Sequence, residues 1–165
     1  MAITNKLGVS GCFLIEHRNK AGKLTCIYRI PNGIVDEGLD MILETMFRSG
    51  AQSANWYIGL VDNAGWTSFP DADTGASHAW TEFPNIVETT RPQWTVGAAT
   101  NRAMTNAATV DFSIDLDNQT LKGIFITDNS VISANAGNLW ATAAFSSTVA
   151  VMQGDTLKVT YTVSG

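Results

Sequence analysis

Two histidines and two groups of acidic residues are the side chains with the most potential for chemistry. His17 and His78 are the only histidines among the 165 residues. A serine triad needs serine, histidine and an acid within hydrogen-bond reach, and the chain has no G-x-S-x-G sequence to present the serine. We therefore interpret both histidines as structural or exposed, and we predict that the protein is not an enzyme and has no catalytic residues.

Acidic residues with the spacing of a calcium loop occur in the segment DADTGASHAWTE. Asp71, Asp73 and Glu82 occupy its first, third and twelfth positions, but alanine replaces the glycine needed at the sixth position. The segment DLDN, residues 115–118, is explained equally well by Asx turns. The chain also has no P-loop, no G-x-G-x-x-G after a strand and no C-x-x-C pair. We therefore predict no metal site and no cofactor.

Aromatic residues are frequent in and directly after a long segment, residues 62–93, that shows no regular period. A connection of this length in a compact domain is usually functional or partly structured. Aromatic rings stack on sugars and anchor protein interfaces, although the same rings could fill the open end of a β-sandwich. Both interpretations stay open for five candidate partner-binding residues: Trp66, Phe69, Trp80, Phe83 and Trp94.

Alternation of apolar and polar residues predicts antiparallel strands with one buried face through most of the chain. A hairpin over residues 11–30 is followed by further predicted strands at residues 55–61, 109–116, 120–128, 138–146 and 155–163. Short strands separated by clusters of Asn, Asp, Ser and Gly are typical of all-β folds. We predict a mainly β protein, a single-domain antiparallel β-sandwich or jelly roll of seven or eight strands.

The segment PNGIVDEGLDMILETMF, residues 31–47, has the periodicity of an amphipathic helix instead. We predict a helix over residues 34–48, with its acidic residues on a solvated face. Residues 1–10 are predicted to form a leader, and residues 11–165 a β-sandwich domain that includes the helix and the long loop. The face predicted to pack onto the sandwich carries apolar residues at helical spacing: Val35, Leu39, Ile42, Leu43 and Met46.

The composition combines many apolar residues with few charges. Hydrophobic residues make up 45% of the chain and charged residues 15%, against roughly 25% charged in ordinary soluble domains. A surface so poor in charge is common where neighbouring subunits cover it, although plain β-domains share this feature. The net charge of −5 and the scattered basic residues argue against direct nucleic-acid binding, which requires several phosphates to be neutralised together.

Two further features concern the compartment. No apolar run reaches the ~18 residues of a transmembrane helix, and the first residues lack a signal peptide's apolar segment; we expect synthesis in a cytoplasm and no membrane partner. Cys12 and Cys26 fall on paired strands of the predicted hairpin, with Cys12 opposite Arg29 or Ile30. This register puts the thiols too far apart for a disulfide, so we predict two free cysteines.

Several segments, in this order, carry a family resemblance: PNGIVDEGLDMILETMF, NWYIGLVDN, ETTRPQW, KGIFITD and GDTLKVTYTV. Over residues 11–163 the chain resembles a family of small structural proteins of tailed bacteriophages. In that family an N-x-I/V-x-x-x-G-L sequence precedes W-Y-I/V-G-L and R-P-x-W. The resemblance implies a virion component made in the host bacterial cytoplasm, and it carries over no catalytic residue.

Within the virion, the resemblance implies a head decoration (cement) protein on the capsid exterior. Such a protein would bind the major capsid protein, and itself as a homo-oligomer, and would stabilise the shell by burying surface across subunit junctions. The alternative is a tail- or fibre-associated module that binds a carbohydrate or receptor. Its sugar platforms would then be Trp66, Trp80 and Trp94.

Overall fold

The computed structural model describes residues 8–165, so most of the predicted leader lies outside the described residues. No helix in this part of the chain has the length and apolar character needed to span a membrane. The elements, in chain order, are β1 (Ser10–Arg18), β2 (Leu24–Gly33), α1 (Asp36–Phe47), β3 (Trp56–Asp62), β4 (Gln93–Trp94), β5 (Ala103–Thr105), β6 (Val110–Ser113), β7 (Gln119–Thr127), β8 (Leu139–Val151) and β9 (Thr156–Ser164).

Two antiparallel sheets pack face to face and confirm the predicted mainly β sandwich with one helix. The first sheet has the order β2-β1-β9-β5, with β6 also paired to β9, and the second has the order β4-β3-β7-β8. The seven predicted strand segments all correspond to observed strands. β4 and β5 are additional, and they are only two and three residues long, which is too short for alternation to mark them.

The main core lies between the sheets and follows from the alternation along the strands. Phe13 and Ile15 of β1 lie directly opposite Tyr161 and Val159 of β9, and all four are at most 1% exposed. Cross-strand partners share a face of the sheet, so these side chains meet the inward residues of the second sheet. Each fully buried side chain of this size stabilises the fold by about 1.5–3 kcal/mol.

A second, smaller core lies on the other face of the second sheet, beneath the long loop. It contains Val35, Val61, Trp80, Phe125 and Leu139, with the half-buried Trp66 and Phe69 against it. Two glycines make room for these rings. A Cβ on Gly59 would lie 2.2 Å from the Phe125 ring, and one on Gly123 would lie 2.6 Å from the Phe69 ring. The loop is therefore a third layer of the structure.

A buried ion pair holds this layer in place. The Arg91 guanidinium donates from Nε and an amino nitrogen to the two carboxylate oxygens of Glu82, at 2.9 Å each. It also donates to the carbonyl oxygens of Asn129 and Ala134 and lies 5.2 Å from the centre of the Phe125 ring. Both members of the pair are about 5% exposed. Arg91 thus joins the long loop to the β7–β8 connection.

The helix forms where it was predicted but does not pack as predicted. Val35, just before α1, is buried, whereas Leu39, Leu43 and Met46 are 39, 52 and 66% exposed. The helix approaches the sandwich through its opposite side, at Gly38, where a Cβ would lie 2.6 Å from the carbonyl oxygen of Trp140. The predicted packing of the apolar face is therefore confirmed for Val35 and wrong for Leu39, Leu43 and Met46, while Ile42 is half-buried.

Polar contacts at the start of α1 explain its orientation. The Glu37 carboxylate accepts hydrogen bonds from the backbone N–H groups of Gly75 and Leu139, at 2.9 and 2.6 Å. The N–H of Asp36 donates to the carbonyl of Asp71. Because these bonds fix the first turn, they set the direction of the helix and leave its apolar stripe facing outward.

The hairpin also differs from the prediction in detail. Cys12 lies opposite Pro31, and Cys26 lies opposite His17, one residue along from the predicted register. Both cysteines are free, as predicted. The buried His17 ring bonds to a carboxylate oxygen of Asp155 through Nε2, at 2.8 Å, and so links β1 to the turn before β9.

Replacing Arg91 with methionine tests the importance of the ion pair. Arg91→Met leaves the Glu82 carboxylate buried without its counter-charge, and we expect the free energy of unfolding to fall by about 3–5 kcal/mol. The double variant Glu82→Leu/Arg91→Met should recover part of this loss, because no charge is then buried alone. Chemical denaturation measures all three free energies.

The control is Arg48→Met, which removes an exposed partner of Glu44 on α1. This change should alter stability very little, because exposed ion pairs contribute little. An Arg91→Met protein as stable as the Arg48→Met protein would contradict the assigned role.

Candidate functional site

The five candidate aromatic residues divide into buried and half-buried groups. Trp80, Phe83 and Trp94 are at most 5% exposed. Trp66 and Phe69 remain half-buried on the loop layer, where the Lys122 ammonium lies 4.8 Å from the Trp66 ring centre. Partner binding through these five residues stays a prediction.

The acidic residues with calcium-loop spacing make other contacts instead. Asp73 accepts a hydrogen bond from the Trp80 indole N–H at 2.9 Å, and Glu82 is held by Arg91. His78 stacks on Trp80 with 3.7 Å between ring centres. Within residues 8–165, no three His, Cys, Asp or Glu side chains gather as a possible metal site. This part of the loop is therefore organised around the Trp80 ring.

An open pocket of about 490 Å³ lies at one end of the sandwich. Its main feature is three tryptophans. Trp56 opens β3 and lies directly opposite Trp94 of β4, and Trp140 is the second residue of β8. The rings of Trp56 and Trp140 meet edge to face at 5.9 Å. Other lining residues include Ser53, Val96, Arg102, Met104, Val163 and Ser164.

Hydrogen bonds behind the pocket fix the orientation of two of these rings. The Trp94 indole N–H donates to Oδ1 of Asn106 at 2.7 Å, and Asn106 in turn donates to the carbonyl of Val159. The Trp140 indole N–H donates to the Tyr161 hydroxyl at 3.2 Å. Burial raises the pKa of Tyr161, in spite of opposing contacts with Asn32 and Trp140, so its hydroxyl is neutral at pH 7. The rings are thus positioned before any ligand arrives.

The pocket has the chemistry of a binding site. Rigid aromatic rings lose little conformational entropy when a ligand binds, and their faces suit a sugar ring or an apolar side chain. General acid–base catalysis needs a titratable group within reach of the substrate. No aspartate, glutamate or histidine is among the described residues that line the pocket.

The sequence did not single out Trp56 and Trp140, because both were interpreted simply as strand residues. The available signal is their position. Each tryptophan stands at the first or second place of a strand, directly after an asparagine or an asparagine–leucine pair. A large ring at the very end of a strand projects past the neighbouring strands, where it can line an opening.

The fold and the site define a β-sandwich with a tryptophan-lined pocket, and a family comparison adds to this description. The model of the family described as "Podophage GP4 fiber I protein gp80" matches residues 39–163, most of the chain. The chain belongs to this family and is therefore a phage structural protein. Comparisons with curated proteins and with solved structures find no match.

This result confirms one part of the expected identity and corrects another. The predicted phage origin and virion association are confirmed. The expected head decoration family is not the one found, because the matching family is described as a fibre protein.

Two tryptophan substitutions test how the loop layer is held. Trp80→Phe removes the N–H that bonds to the buried Asp73 carboxylate, whereas the Trp66 N–H meets no acceptor among the described residues. The two variants lose the same atoms, so Trp80→Phe should reduce the free energy of unfolding by about 1–3 kcal/mol more than Trp66→Phe. Denaturant unfolding gives the difference, and equal losses would contradict this assignment.

Proposed function

We propose that this chain is a non-enzymatic component of a phage fibre. The observation that carries the proposal is the family match over residues 39–163. A β-sandwich with a low content of charged residues is compatible with a position among neighbouring subunits. A fibre position replaces the capsid exterior as the preferred location, and it agrees with the alternative that the sequence left open.

Contacts of the potentially reactive residues support a role without catalysis. His17 is buried against Asp155, and His78 is stacked on Trp80. The Glu82 carboxylate is paired with Arg91. In the first turn of α1, the Glu37 carboxylate accepts hydrogen bonds from two backbone N–H groups. These side chains have structural partners, so none of them is held free for a substrate.

Labelling of virions tests the fibre position directly. Fab fragments raised against the purified chain, imaged on intact particles by electron cryo-microscopy, should decorate the tail fibres and leave the head surface bare. A regular array of Fab density over the capsid would contradict the fibre position. It would instead support the earlier expectation that the chain binds the major capsid protein. Particles lacking the chain serve as the control for nonspecific labelling.

The tryptophan-lined pocket supports a second proposal, that the fibre component binds a carbohydrate. Trp56 and Trp140 are half-buried at the pocket, and aromatic faces of this kind stack on sugar rings. Pocket-bound glycans would suit a fibre that contacts a bacterial surface.

A glycan array with two matched variants tests the second proposal. We expect the wild-type chain to bind a subset of glycans, and Trp56→Ala to weaken that binding by about tenfold or more, equivalent to ~1.4 kcal/mol. Val87→Ala removes an exposed apolar side chain outside the pocket and should leave the binding unchanged. A blank array, or glycan binding that survives Trp56→Ala, would contradict binding at this pocket.

A further inference from the structure

The outward side of α1 carries an apolar stripe that the sandwich does not cover. Leu39, Leu43, Met46 and Phe47 are 39, 52, 66 and 75% exposed. Their spacing of four, seven and eight residues places them on one side of the helix, which is the pattern of a helix that docks into an apolar surface. Single exposed apolar residues are ordinary, but a contiguous stripe of four marks an interaction surface.

Negative charge borders this stripe. Asp36, Asp40 and Glu44 are all exposed on α1, and at helical spacing they lie along one side of the stripe. Arg48, the one basic residue at the helix end, is already paired with Glu44. A partner for this surface therefore needs exposed apolar side chains surrounded by positive charge.

The β1–β2 hairpin presents a surface with these properties. Leu24 and Ile27 of β2 are 40 and 54% exposed, and they lie opposite Arg18 and Glu16 of β1, so all four point to the outer face of the first sheet. The hairpin also holds four of the ten basic residues of the chain, against a single acidic residue, Glu16. The basic residues are Arg18, Lys20, Lys23 and Arg29. Arg18 is paired with Glu16 at 2.6 Å, so Lys20, Lys23 and Arg29 supply the positive charge of this surface.

The two surfaces do not meet within one chain, because α1 lies beside β8 and its apolar stripe is exposed. The hairpin turn precedes β2, and α1 begins three residues after it ends. Ile27 lies six residues before the end of β2, which is roughly 20 Å at about 3.3 Å per strand residue. A contact between the two surfaces therefore requires two copies of the chain.

We infer that α1 of one copy docks, through its apolar stripe, on the outer face of the β1–β2 hairpin of the next copy. A helix lying on an uncovered sheet face is a standard way to bury both, and here acidic and basic borders face each other. Because the contact joins different surfaces, it is heterologous, and repetition gives a ring or a filament. The hairpin lies outside the matched residues 39–163, and the inference does not depend on the proposed fibre function.

Sedimentation velocity of the wild-type chain is the first part of the test. We expect oligomers whose size grows with protein concentration in the micromolar range and falls as salt is raised, because salt screens exposed charges. A wild-type chain that stays monomeric at high micromolar concentration and low salt would overturn the inference.

Two double variants give the decisive comparison. The helix variant Leu43→Asp/Phe47→Asp and the hairpin variant Ile27→Asp/Arg29→Glu should each weaken self-association by at least about tenfold. When the two variants are mixed in equal amounts, they should form a heterodimer but no larger oligomer, because each variant supplies only one intact surface. Continued assembly of the hairpin variant alone would show that helices pair with each other and would overturn the inference, as would the absence of a heterodimer.

A matched control separates assembly from folding. Val87 is 62% exposed and belongs to neither surface, so Val87→Asp should assemble as the wild type does. All substituted positions are exposed, and melting temperatures should therefore match that of the wild type. If Val87→Asp abolished assembly to the same degree as the helix variant, the loss would not be specific to the helix and the inference would fail.

Discussion

The Glu82–Arg91 ion pair is the contact on which the outer layer of the structure depends. The loop between β3 and β4 spans 30 residues without a long strand, and ordering so many residues costs about 1–2 kcal/mol each in backbone entropy. A buried ion pair is stable only when its hydrogen-bonding groups are satisfied. Here two carbonyl oxygens of the β7–β8 connection accept further hydrogen bonds from the Arg91 guanidinium. The same bonds close the loop over Phe125, which would otherwise lie on an open sheet face.

Attachment of the helix follows from the same layer. Val35 and Leu139 belong to the small core that the loop covers, and the Glu37 carboxylate reaches the loop at Gly75 and the sheet at Leu139. Since the first turn is fixed by these contacts, α1 does not need its apolar stripe to stay attached. The stripe is therefore exposed and available for another molecule.

Sequence patterns predicted the positions of the strands well, but they predicted poorly what each face of the helix and of the strands contacts. Alternation located β1, β7 and β9 to within two or three residues because each has one face in the main core. Helical spacing identified the stripe through Leu39 but could not say what lies opposite it, because periodicity records which residues share a face and not what that face meets. The burial of Arg91 could not be predicted from the sequence either. An arginine is rarely buried unless it is paired, and the partner of Arg91 lies in a segment without periodicity. Trp56 and Trp140 escaped notice because only the pairing of distant strands brings them together.

The scarcity of charge gives the few charged clusters more influence over association. In a chain with 15% charged residues, the helix α1 carries an acidic cluster and the β1–β2 hairpin a basic one. Complementary charges of this kind orient molecules before they touch. A heterologous contact arranged in this way produces a polar assembly in which every copy presents the same pocket in the same orientation. Several pockets on one proposed assembly would act together, and such multivalency raises apparent affinity by roughly 10²–10⁴ without any new contact. The proposed head-to-tail association and the open aromatic pocket are thus compatible in one protein, because assembly would present many copies of the pocket together.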